Sequence, residues 1–89
     1  RNYTMSKIPV KVYSLSTCSH CKAAKKLLSD NGIAYDFVDV DQLLGEERSM
    51  MIEEIKTYNP KCSFPTIVIN NDQVVVGNKE DKIKEILNL

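Results

Sequence analysis

The sequence predicts an α/β fold of order β-α-β-α-β-β-α, a mixed four-stranded sheet flanked by helices. Three observations predict it. Between residues 8 and 58, short apolar runs alternate with stretches of helical periodicity. Two further apolar runs, Thr66-Ile67-Val68-Ile69 and Gln73-Val74-Val75-Val76, are separated only by Asn70-Asn71-Asp72, whose tolerance of positive φ suits a tight hairpin. The length of 89 residues supports one modest core and one domain.

Ile8-Pro9-Val10-Lys11-Val12-Tyr13-Ser14-Leu15 reads as the first strand, and Lys22-Ala23-Ala24-Lys25-Lys26-Leu27-Leu28 as the first helix, with Gly32 as its stop. Ala34-Tyr35-Asp36-Phe37-Val38-Asp39-Val40 alternates apolar and acidic residues as a second strand, with Asp39 and Asp41 marking a turn. A second helix follows from Leu44 to Tyr58, where Leu44, Met51, Ile55 and Tyr58 recur at helical spacing and Glu46, Glu47, Arg48, Glu53 and Glu54 supply the outer face. Asn59-Pro60 ends it, because the residue before proline is pushed out of the helical region. Asn78 is placed to cap a last helix with Ile83, Ile86 and Leu87 facing inward. A helical crossover makes the first two strands parallel. The hairpin adds antiparallel strands, and the continuously apolar third strand suits a central, doubly covered place.

Charge and composition narrow the function. Twelve basic and twelve acidic residues cancel, and there is no basic-aromatic stripe, so nothing points to nucleic acid. No apolar run reaches membrane-spanning length. Residues 1–26 hold Arg1, Lys7, Lys11, Lys22, Lys25 and Lys26 with no acid, whereas 27–60 are strongly acidic. The basic segment either draws an anionic thiol or acidic partner surface or is a solvated helix face. Residues 1–7 are expected to be a flexible N-terminal extension and 8–89 the domain. Three cysteines are an odd number for a disulfide scaffold, and two of them are closely spaced; a reducing, cytoplasmic location is expected. The acids Asp39, Asp41, Glu46-Glu47 and Glu53-Glu54 lack convergent partners and read as solvated faces, and Met50-Met51 as packing.

The chemistry-bearing motif is Cys18-Ser19-His20-Cys21, between the first strand and the first helix. Unpaired N–H groups and the macrodipole at a helix N-terminus favour negative charge, so a thiolate on Cys18 is expected to be stabilised there. The thiolate is the form that attacks disulfides.

With this motif, Phe64-Pro65-Thr66 entering the third strand, and Gly77 after the fourth followed by Glu80, the chain resembles a glutaredoxin of the thioredoxin superfamily across nearly all of residues 8–88. The resemblance implies a dithiol enzyme of thioredoxin-like fold that reduces protein or glutathione mixed disulfides. Cys18 would attack and Cys21 resolve the mixed disulfide. Pro65 would be a cis proline presenting the backbone of Phe64 for strand-like pairing with substrate. Thr17, Lys61, Phe64, Pro65, Gly77, Asn78 and Glu80 would bind substrate or glutathione. His20 stands where many glutaredoxins carry tyrosine; as imidazolium it would favour the thiolate and make the pair more oxidising, or it is a neutral surface residue.

Three positions depart from the family pattern. Leu15 replaces a basic residue that meets a glutathione carboxylate, Val76 replaces the first of two glycines, and Ser19 replaces a proline. The alternatives are therefore a glutaredoxin-like electron donor reduced by a thioredoxin-reductase-like enzyme, or a carrier of a 2Fe–2S cluster or metal. Cys62 is a regulatory thiol, a third metal ligand, or a half-buried loop residue. No cofactor is required on the main reading, and glutathione enters as co-substrate. The expected partners are disulfide-containing proteins or glutathione and a reductase, with the protein a monomer.

Overall fold

The structure, a computed structural model, describes residues 8–89, so the reading of residues 1–7 as an extension lies outside the described residues. The elements are β1 (Val10–Ser14), α1 (Ser19–Asp30), β2 (Asp36–Asp39), a 3-10 turn (Val40–Gln42), α2 (Gly45–Tyr58), β3 (Thr66–Ile69), β4 (Gln73–Val76) and α3 (Glu80–Leu87). The sheet order is β2-β1-β3-β4. β1 runs parallel to β2, with Lys11 opposite Asp36 and Ser14 opposite Asp39. It runs antiparallel to β3, with Val10 opposite Ile69 and Tyr13 opposite Thr66. The predicted mixed sheet and element order are borne out.

Alternation along the strands divides the core into two layers. Val10, Val12, Ile67, Ile69 and Val75 face one side, where Ala24 and Leu28 of α1 and Ile83 and Leu87 of α3 cover them. Tyr13 and Val68 face the other, where α2 contributes the fully buried Ile55 and the partly buried Met51, Ile52 and Tyr58. β3 is buried at all four positions, as a central strand covered on both faces must be.

Turn chemistry closes the elements. Gly32 has φ +71 after α1, a conformation open to glycine without steric cost, and the Ile33 amide donates to the Leu28 carbonyl at 2.9 Å. In the hairpin, Asn70 and Asn71 have φ 57 and 64, the left-handed pair of a type I′ turn. Toward the cysteine end of β1, the Tyr13 hydroxyl donates to the Glu54 carboxylate, pinning α2 to the sheet. Glu54 is thus more than an outer-face acid.

The structure corrects two expectations. Leu44 is 79% exposed rather than facing the core. It precedes α2 with φ −128 and ψ 151, so extended backbone takes its side chain out of the helical phase that would align it with Met51. Asn78 does not cap α3: Lys79 holds that position without a side-chain cap hydrogen bond. The Lys79 amide turns back onto the Gly77 carbonyl at 3.0 Å, the helix starts one residue late, and Asn78 Oδ1 is buried without a partner among the described residues.

Leu28 sits fully buried between α1 and the sheet. Leu28→Ala is expected to cost about 3 kcal/mol, read in urea as a lower unfolding midpoint at unchanged slope.

Candidate active site

Register brings three loops to one end of the sheet. The segment after β1 carries Cys18, the segment entering β3 carries Phe64-Pro65, and the segment leaving β4 carries Gly77. Because Tyr13 pairs with Thr66 and Thr66 with Val76, these three segments emerge side by side. The last two are joined directly, Gly77 N–H donating to the Pro65 carbonyl at 2.8 Å. The Phe64-Pro65 peptide is cis, in the sense expected.

Cys18 occupies the N-cap of α1, with φ −84 and ψ 118, and its Sγ accepts the Cys21 N–H at 3.3 Å. Sulfur thus takes the place that a serine or aspartate oxygen usually fills, satisfying one of the helix's orphan amides. The Cys18 amide donates back to the Leu15 carbonyl at 3.2 Å, tightening the loop. Cys18 is half-buried and Cys21 fully buried. Both thiols are free. Burial pushes the Cys21 thiol up to about 12, with the side-chain hydrogen bond to Cys18 acting in the same direction and the Leu15 backbone and Lys25 opposing it. Cys21 is therefore a protonated thiol at neutral pH.

Two serine–aspartate links fasten this loop to the neighbouring strand. Ser14 Oγ donates to Asp39, which also receives Lys25 Nζ at 2.9 Å. The Lys25 ammonium lies 4.1 Å from the centre of the Phe37 ring as well. Ser16 gives Asp41 its backbone N–H, at 2.9 Å, and its hydroxyl. Ser14 and the Lys25 ammonium hold the Asp39 carboxyl below its usual range, and Ser16 does the same for Asp41. Neither is the solvated acid expected. The missed signal lay in the parallel register, which sets Ser14 beside Asp39 and, two residues on, Ser16 near Asp41.

The remaining predicted positions are more scattered. His20 and Thr17 are exposed at the helix start. Lys61 and Glu80 are exposed, and Glu80 is paired with Lys84 at 3.0 Å within α3. Leu15 packs with Cys62 and Phe64 against the α2-side core. Cys62 has φ 52. Among the described residues no group of three metal-ligating side chains converges. Asn59, read only as a helix end, proves to be a buried hydrogen-bonding centre of the loop entering β3.

A capping thiol above a buried one, at the end of a mixed sheet, is the arrangement of a thioredoxin-fold thiol–disulfide oxidoreductase. Comparison with known proteins narrows that class. The Glutaredoxin family model matches residues 10–75. Glutaredoxin 1 of Rickettsia prowazekii is 33% identical over 82 residues, covering 85% of this chain and 83% of its own. Methanoredoxin of Methanosarcina acetivorans superposes with a TM-score of 0.87 at 43% identity, covering 91% of this chain and 85% of that one. The glutaredoxin from Methanosarcina mazei Go1 gives 0.83 at 47% identity, covering 91% and 79%. The chain belongs to the glutaredoxin family.

Cys21 should stay unlabelled when the reduced, folded protein meets iodoacetamide at pH 7, with labelling rising only as pH approaches 12. Peptide mapping by mass spectrometry reads this, Cys18 carrying the early adduct. Denaturant should abolish the difference.

Proposed function

We propose that this oxidoreductase reduces mixed disulfides of proteins or of glutathione through the Cys18/Cys21 dithiol, in a reducing compartment such as the cytoplasm. The observation that carries the reading is the Cys21 amide aimed at Cys18 Sγ at 3.3 Å with the Cys21 thiol buried beside it. The Cys18 thiolate attacks one sulfur of the substrate, forming a Cys18 mixed disulfide and releasing the other sulfur as a thiolate. Cys21, once deprotonated, attacks the Cys18 sulfur, closing the intramolecular disulfide and expelling the second substrate thiolate. Two electrons pass from the dithiol to the substrate. The high pKa of Cys21 holds the second step back at neutral pH, which leaves time for a free thiol to resolve the mixed disulfide instead.

On this reading Phe64 and Pro65 present backbone to the substrate, and Thr17, Lys61, Gly77, Asn78 and Glu80 bind its flanking groups. A second reading, a glutaredoxin-like electron donor recharged by a thioredoxin-reductase-like enzyme, is favoured by one observation. Leu15 is packed against the α2-side core and offers no charge to a glutathione carboxylate.

Reduction of a small mixed disulfide, regenerated in parallel by glutathione with its reductase and by a thioredoxin reductase, separates the two readings. Turnover with glutathione supports the first and turnover only with thioredoxin reductase the second. Cys18→Ser is expected to abolish turnover in both assays, and retained activity would overturn the assignment.

His20 is exposed on the first turn of α1 between the two thiols. His20→Tyr is expected to lower the reduction potential on the order of 30 mV, a tenfold change in the equilibrium constant. Equilibration with a glutathione redox buffer measures it, and an unchanged or higher value would remove His20 from the tuning role.

A further inference from the structure

We infer that Asn59 is a positioning residue for substrate binding, its side-chain amide fixing the course of residues 60–66 and so the backbone of Phe64. The inference rests on the proposed pairing of Phe64 with a peptide substrate.

The amide is only 5% exposed and works at both ends. Its Oδ1 accepts the Lys61 N–H at 3.2 Å. Its Nδ2 donates to the Ser63 carbonyl at 3.3 Å, to Ser63 Oγ at 3.1 Å and to Thr66 Oγ1 at 3.1 Å. Thr66 completes the ring by donating from Oγ1 to the Ser63 carbonyl at 2.7 Å. The Asn59 carbonyl accepts the Cys62 amide at 2.8 Å, closing the turn in which Cys62 sits at φ 52. One side chain thus contacts the loop near its start, near its end, and at the first residue of β3.

A simple helix cap would not need this side chain. The Asn59 backbone N–H donates to the Ile55 carbonyl at 2.8 Å, so the end of α2 is satisfied by main chain while the amide points into the loop. The residue type follows from the geometry. Aspartate keeps the acceptor for Lys61 but sets a carboxylate oxygen against the Ser63 carbonyl, and glutamine is a methylene too long for both contacts. Cys18 and Cys21 lie on a different element, at the start of α1. Disturbing Asn59 should therefore weaken substrate binding and leave thiol chemistry intact.

Two probes separate these effects. One is a cysteine-containing peptide disulfide-linked to thionitrobenzoate, which offers backbone for pairing; the other is dithiobis(nitrobenzoate), which offers none. Steady-state reduction at pH 7 is followed by thionitrobenzoate release. Asn59→Asp is expected to raise KM for the peptide on the order of tenfold with kcat within about twofold, and to leave reduction of the small disulfide unchanged. Thr66→Val, which removes the same link from the strand side, should shift the peptide KM in the same direction, and Thr66→Ser should restore it. Should Asn59→Asp fail to fold, as judged by its thermal transition, the Thr66 pair decides. Equal KM for variants and wild type, or equal losses on both probes, would overturn the inference while leaving the proposed function standing. A wild-type protein that reduces the small disulfide but not the peptide would overturn the Phe64 reading, and this inference with it.

Discussion

Strand β1 is hydrogen-bonded on both sides, and its register decides where everything reactive lies. Its parallel pairing with β2 sets Ser14 beside Asp39, and its antiparallel pairing with β3 sets Tyr13 beside Thr66. A shift of one residue would turn every side chain of β1 to the opposite layer. Val12 and Tyr13, nearly inaccessible on opposite faces, make that slip prohibitive, since a tyrosine and a valine cannot exchange places in a close-packed core. The position of the cysteine loop relative to Pro65 and Gly77 is therefore fixed by packing some distance from the thiols.

The thiol pair in turn uses the asymmetry of a helix end. An amide at the start of α1 that lacks an intrahelical partner has to be satisfied, and the sulfur of Cys18 does so for Cys21, which turns inward and is buried with Ala24 and Leu28. Burial gives the two thiols unequal standing. On the proposed mechanism the outer one meets the substrate, whereas burial holds the inner one as a neutral thiol until a proton leaves. On that mechanism a single helical turn separates the attacking thiol from the resolving one.

Much of this was legible in the sequence because it is written in local signals. The cysteine spacing, the proline ahead of Thr66, the paired asparagines of the hairpin and the apolar run of β3 each carry their own meaning. What escaped depends on pairing between distant segments. Asp39 and Asp41 look like turn acids until β2 is laid beside β1, and Asn59 looks like a helix end until the chain has folded back far enough to bring Thr66 to its amide. Leu44 and Asn78 show the converse: each fits a helical pattern, but the helix begins only after that residue, at Gly45 and at Glu80. Polar side chains in particular declare their partners only through the fold, because hydrogen bonding has no periodicity to read.

The division of the core into two layers has a consequence for the segments that meet at the cysteine end of the sheet. The helix that carries Cys18 and Cys21 belongs to the side covered by two helices, α1 and α3. The segment with Phe64 and Cys62 belongs to the side covered by α2 alone, whose one fully buried residue is Ile55. Local opening follows the density of buried contacts, so the α2 layer is expected to open more readily than the α1 layer. Amide exchange in the loop entering β3 should track α2 rather than α1, which would place the two segments in different cooperative units. On the proposed function, a protein substrate would meet the thiols on the more densely packed layer, across from a segment better able to yield to its shape.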